Sequence, residues 1–291
     1  MTPSNRIACL IGSTLIFSSA LAQITDPKLY ASIVDGGVEE LKTYLSAGGS
    51  PSTKINVPGS NSTIALLDLA VRSSKEDPAL VLLNSGASPD NITEFVEVSA
   101  EKGFANVLTQ VLDRNPSVVL QMRTANHPLF LAIAHGHYDA VSTLLDRMKL
   151  LGNAEREAIL NEALLVATNS FDAKSGQTIV SDLLKAGADP VGTPALAVAV
   201  STCAPNLVST LLAAGADVKK RYDVGGATSL AQYAVRCFDR APEAAEGVLE
   251  ALVAAGADLC AVDWTDMGLT QSALAHRSEI EQSCKEASSR Q

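Results

Sequence analysis

Leu211–Val218 reads LLAAGADV, Leu252–Leu259 reads LVAAGADL and Leu183–Pro190 reads LLKAGADP. The same phrase returns in degraded form at Leu82–Pro89 (LLNSGASP), Tyr44–Pro51 (YLSAGGSP) and Val111–Val118 (VLDRNPSV). Each copy closes a helix-like run. A helix that must stop and reverse needs a residue at positive φ just past its end, and glycine reaches that conformation without a Cβ clash. Gly48, Gly86, Gly187, Gly215 and Gly256 fit the role. In the third copy along the chain the position holds Asn115, the residue next most tolerant of the left-handed region.

The intervals between these stops are 38, 29, 72, 28 and 41 residues. The longest hides one more unit. His127–Leu145 reads HPLFLAIAHGHYDAVSTLL, a helix-turn-helix whose second helix runs toward Met148, and a boundary there divides 72 into 33 and 39. The mean step becomes about 35 residues, within the range of helical-pair solenoids.

These motifs resemble the ankyrin repeat family, whose unit opens on T-P-L-H-x-A-A, turns at a G-H corner and ends L-L-x-x-G-A-D. The fourth unit carries the fullest match, in His127-Pro128-Leu129-Phe130-Leu131-Ala132, Gly136-His137 and Val141–Leu145. Thr193-Pro194-Ala195-Leu196 and Thr228-Ser229-Leu230-Ala231 open the sixth and seventh, Glu94–Gly103 carries the third, and Leu67-Asp68-Leu69-Ala70 marks the second. The resemblance covers residues 26 to 284. It departs from the pattern in its irregular step, in the missing glycine near Met148, and in insertions at Pro51–Ser62, Thr168–Gln177 and Phe238–Pro242. It implies an all-α, ankyrin-type solenoid of about seven helix-pair repeats plus a C-terminal cap, and a protein-binding role.

Packing gives the residue types their meaning. A hydroxyl at a helix start accepts from the free amides of the first turn, and proline suits the first helical position; Thr193-Pro194 fits both. Alanine-rich first helices such as Ala195–Val200 admit close neighbours, while Leu211-Leu212 and Leu252-Val253 fill the space between layers. Strand periodicity is essentially missing, so regular structure is expected to be almost all helix. With 291 residues, 47% hydrophobic and 19% charged, the chain has ample material for a folded domain. A solenoid buries each layer against its neighbours only, so one domain is expected, over residues 23–286, with a disordered tail at 287–291.

Residues 1–22 are a different object. Arg6 is their only charge, Ile7–Phe17 is apolar with small interruptions, and Ala20-Leu21-Ala22 supplies a small-x-small cleavage pattern. This reads as a secretory signal peptide cleaved near Ala22, the alternative being an uncleaved amino-terminal anchor, and places the mature chain in the periplasm or outside the cell. Loss of Arg6 takes the formal net charge from −10 to −11. Nucleic acid and anionic membranes are then poor partners, whereas a protein with a basic face is steered favourably.

Export changes the meaning of the cysteines. Cys203, Cys237, Cys260 and Cys284 remain after cleavage, in an oxidising compartment. Of the three connectivities, Cys203 with Cys237 and Cys260 with Cys284 is favoured. The first pair meets a geometric objection: both cysteines lie seven residues after aligned leucines, Leu196 and Leu230. Equivalent points in stacked layers stand about 8 to 10 Å apart, and a disulfide wants less than about 7 Å between Cα atoms. The inserted Phe238–Pro242 loop offers a way to close that gap.

No nucleophile elbow, phosphate-binding loop, zincin helix, dinucleotide turn or CxxC pair stands at a credible position. His135-Gly136-His137 is the one tempting pair of imidazoles, and its place at the repeat corner argues for packing over zinc. His127 stands where the helix-opening threonine would be, and His276 is isolated. Asn61-Ser62-Thr63 and Asn91-Ile92-Thr93 match an N-glycosylation pattern that matters only in a eukaryotic secretory route. No catalytic residue, metal or cofactor is expected.

Contacts with a partner are expected from the turn tips and the exposed side of each first helix. Two tips stand out: the basic Lys219-Lys220-Arg221-Tyr222-Asp223, and Asp263-Trp264-Thr265-Asp266 with the only tryptophan. Arginine, tyrosine and tryptophan are common interface anchors. The expected function is a monomeric, non-enzymatic periplasmic module that binds and inhibits, shields or assembles one protein, such as an immunity-type protein against an envelope toxin. The alternatives are a secreted effector acting on a host protein, and an enzyme or metal-binding protein on a solenoid scaffold.

Overall fold

The computed structural model describes residues 26–121, 126–149, 154–169, 173–220, 229–260 and 271–289. The chain divides into two compact units, residues 1–147 and 148–291.

In the first unit the described helices form four pairs: α1 (Asp26–Asp35) with α2 (Glu39–Ser46), α3 (Leu66–Arg72) with α4 (Glu76–Asn84), α5 (Ile92–Glu101) with α6 (Ala105–Arg114), and, beyond the short α7 (Val118–Gln121), α8 (Pro128–Ala134) with α9 (Tyr138–Met148). First helices pack on first helices, α1 on α3, α3 on α5 and α5 on α8, and α4 packs on α6 among the second helices. The second unit repeats the scheme with α10 (Ala154–Thr168) and α11 (Ala173–Ala186), α12 (Ala195–Ser201) and α13 (Pro205–Ala213), α14 (Leu230–Arg236) and α15 (Pro242–Ala254), then the closing α16 (Gln271–Ser289). That makes seven pairs and a cap among the described residues.

The recurring phrase is a helix stop written out residue by residue. Ala216 N–H donates to Leu211 O (3.0 Å) and Gly215 N–H to Leu212 O (3.0 Å), the two bonds of a Schellman motif, with Gly215 at φ 96°. Leu211 and Ala216 are buried, so leucine and alanine supply the apolar contact that accompanies this cap. The aspartate that follows turns the chain away: Asp217 Oδ1 accepts from Lys219 N–H (2.8 Å), Asp258 Oδ1 from Cys260 N–H (2.9 Å) and Asp189 Oδ1 from Val191 N–H (2.8 Å). The corners inside five of the pairs use the same pattern, as in His137 N–H to Ala132 O (2.9 Å).

Several expectations are corrected. Asn115 is at φ −140°, outside the left-handed region. The cause is Pro116, whose ring pushes the preceding residue toward extended backbone. The chain leaves α6 by a different route, closed by Val118 N–H on Asn115 O (3.3 Å). The Pro51–Ser62 insertion carries a strand, Lys54–Asn56 (β1), that pairs antiparallel with Thr63–Ala65 (β2) just beyond it, Ile55 opposite Ile64. The Thr168–Gln177 insertion lengthens two helices, since α10 reaches Thr168 and α11 begins at Ala173. Thr193 donates its hydroxyl to Asp189 O (3.0 Å) and caps no first-turn amide. Val253, expected between layers, is 50% exposed. The last helix runs on to Ser289, past the tail boundary at residue 286. The proposed signal segment lies outside the described residues.

Candidate functional site

Cys203 and Cys237 approach to 5.6 Å between Cα atoms and are disulfide-bonded, as are Cys260 and Cys284 at 5.5 Å. The layer-spacing objection fails because the two aligned residues follow different backbone paths. Cys203 occupies the left-handed corner after α12 (φ 58°), whereas Cys237 continues α14 into a 3-10 turn, Cys237–Asp239, at φ −66°. The extra turn carries Cys237 toward its partner. Arg240 closes the same junction by donating to Ser201 O (2.6 Å).

Of the two sequence-selected tips, only Lys219 and Lys220 are described; Arg221, Tyr222, Asp223, Asp263, Trp264 and Asp266 lie outside the described residues. Lys219 is exposed, and Lys220 reaches back to Val191 O (2.7 Å) in the turn of the preceding repeat.

The histidines serve the frame. His127 is 1% exposed and caps α8: its Nδ1 accepts from Leu129 N–H (3.2 Å), so the proton sits on Nε2, which donates to Val119 O (2.9 Å). Burial lowers its pKa from the usual 6.5 to about 4, partly offset by the Val119 hydrogen bond. His137 covers Gly103 and joins Glu101 O through Nε2 (2.9 Å), tying one repeat to the one before. His135 lies parallel to it at 6.1 Å. Among the described residues no three histidine, cysteine or carboxylate groups converge as a metal site, and no helix is long and apolar enough to cross a membrane.

Two concave surfaces stand out among the described residues. In the first unit a cleft of about 220 Å³ runs between α3 and α5. Asp68, Asp90 and Glu94 line it, with Arg72 paired to Glu94 and Lys54 of β1 paired to Asp90 at 2.7 Å. Burial, then the neighbouring Asp90 charge, raises the Asp68 pKa; burial, then Glu94, raises that of Glu97. Asn91 spends its side-chain oxygen capping α5 through Glu94 N–H (3.3 Å). This cleft lies on the first-helix side, where sequence reasoning looked.

In the second unit a groove of about 630 Å³ opens between α15 and α16. Phe238, Leu249, Val253, Leu259 and Ile280 form its apolar surface. Glu246, Glu250, Asp258 and Glu279 line it as well, all exposed, and among the described residues no lysine or arginine does. His276 stacks on Phe238 with centroids 3.7 Å apart, and the Cys260–Cys284 disulfide joins the groove's turn to α16. Sequence reasoning passed over this surface because it sits on a second helix and the cap. The signal was there in α15, where Glu246, Glu250 and Val253 follow one another at helical spacing along one side.

The architecture has solved counterparts. The chain is similar to the human ASB11 ankyrin repeat domain, at 20% identity over 79% of this chain and 98% of that one, with a TM-score of 0.55. The fold is that of an ankyrin repeat domain. An ankyrin repeat domain from Acinetobacter baumannii AYE aligns at 23% identity over 65% of this chain and 98% of its own, TM-score 0.48. The ankyrin repeat domain of Bcl-3 aligns at 21% over 79% and 86%, TM-score 0.40. No protein-family model matches the sequence, and neither does any curated protein.

Proposed function

We propose that this ankyrin-fold chain is an exported, non-enzymatic module that holds one protein partner. The observation that carries the reading is the pair of disulfides within a repeat fold: such bonds persist in oxidising compartments, and stacked repeats expose variable surfaces built for recognition. The signal-like residues 1–22 supply the route, with residues 23–286 as the binding body. The finer reading is periplasmic: a monomer that inhibits, shields or assembles a partner with a basic face, as an immunity-type protein does against an envelope toxin. Net charge of −10 supports a basic partner through steering. The tips Lys219–Asp223 and Asp263–Asp266 are its proposed contacts.

The test is affinity capture from envelope extract with the oxidised chain, followed by identification and stoichiometry of the retained protein. One saturable partner is expected, weakened by Trp264→Ala or by charge reversal at Lys219, Lys220 and Arg221 with the circular dichroism unchanged. A partner held equally by both variants sinks the choice of tips. No specific partner at all sinks the module itself.

A further inference from the structure

The groove between α15 and α16 has the makings of a recognition surface, and its chemistry specifies the occupant. Its floor is firm. Phe238 belongs to a small buried cluster with Cys237 and Ala245, against which Leu249 packs. Leu259 and Ile280 rest on a second cluster of Ala231, Val235 and Ala273. The apolar surface therefore stands on packed core and keeps its shape without a ligand. Its turn is fixed too: Asp258 holds Cys260 N–H, and Cys260 is bonded to Cys284 of α16. A preformed groove spares a ligand much of the ordering cost of binding.

Four carboxylates flank the groove, Glu279 facing His276 Nδ1 at 3.5 Å, and among the described residues no lysine or arginine lines it, so acidic groups outnumber basic ones there. Glu246 and Glu250 stand one turn apart on α15, a spacing matched by cations at i and i+4 on a facing helix. Val253, half exposed beside them, offers the apolar contact that such a helix would bury.

We infer that this groove docks a cationic amphipathic helix of a partner protein, its leucine-like face on Val253, Leu249 and Ile280 and its lysines or arginines on Glu246 and Glu250. The inference rests on the partner-binding reading and deepens it by naming the surface and the ligand chemistry.

The experiment uses the oxidised full chain and a fluorescein-labelled peptide of ~14 residues, long enough to span α15 at 1.5 Å per residue, with leucine on one helical face and lysine on the other. Anisotropy should show saturable one-to-one binding that weakens at least about tenfold in Glu246→Lys/Glu250→Lys and in Val253→Asp, and falls with added salt. All these substitutions are at exposed positions, and unchanged thermal melts confirm that the fold is intact. Absence of saturable binding, equal binding of a scrambled peptide of the same composition, or indifference to the substitutions each overturns the inference. So does sedimentation showing self-association that Val253→Asp abolishes, because the occupant is then a second copy, its Lys219–Arg221 tip being the obvious candidate. Capture of a partner that ignores these variants leaves the module standing and removes only the groove.

Discussion

At the residue scale, the left-handed corners and the buried imidazole make separable demands. Gly215 has positive φ and open space around a would-be Cβ, whereas a Cβ on Gly103 would sit 2.6 Å from His137 Nδ1. Gly215→Ala should therefore cost only the left-handed penalty, about 1–2 kcal/mol. Gly103→Ala should cost at least about 1 kcal/mol more, since the displaced ring also loses Glu101 O. Equal urea midpoints for the two variants would refute the role given to His137. His127 makes a pH prediction. Its folded pKa is depressed to about 4, so between roughly pH 6.5 and 4 the unfolded chain binds the extra proton, and stability falls as pH falls. The loss approaches roughly 3 kcal/mol. Asp68 and Glu97, with raised pKa values, act in the opposite sense but are shared with any His127 variant. The stability advantage of wild type over His127→Thr should thus narrow steadily on acidification; parallel profiles in denaturant titrations would rule the account out.

At the element scale, what could be read in advance follows from how local each signal is. The L-L-x-x-G-A-D phrase encodes a complete cap and turn within eight residues, so it located the ends of α11, α13 and α15 correctly. Asn115 misled because the decisive neighbour was Pro116, one position beyond the pattern being matched. The seventh opening shows the converse. Ser229 caps α14 by accepting from Gln232 N–H (3.2 Å), and Gln232 Oε1 accepts in turn from Ser229 N–H (2.9 Å), a capping box written in the sequence that Thr193 lacks. The hairpin β1–β2 was illegible since three-residue strands carry too little periodicity to register. The candidate groove escaped for a different reason: it is assembled from the second helix of one repeat and the cap, and only tertiary packing brings Val253 and Ile280 to one surface.

At the scale of the whole molecule, the two disulfides fall in the same unit, closing stretches of 34 and 24 residues within 148–291. Chain-entropy reasoning gives each closure about 3–4 kcal/mol, a large fraction of what a domain has in hand. In a stacked array each repeat is stabilised by its neighbours, so the loss of such a restraint is felt most where it acts. Reduction should therefore be a local event. Hydrogen exchange with and without a phosphine reductant should show α14, α15 and α16 losing protection by several orders of magnitude, while α3 through α6, free of cross-links, change little. The groove between α15 and α16 should lose its labelled-peptide binding in the same titration, because its turn is fixed to the cap by Cys260–Cys284. The double variant Cys260→Ser/Cys284→Ser separates the two restraints: α16 should exchange freely while the Cys203–Cys237 junction keeps its protection. Uniform deprotection across both units would mean that the array unfolds as one cooperative body, and unchanged exchange throughout would mean that the cross-links add nothing to packing already sufficient on its own.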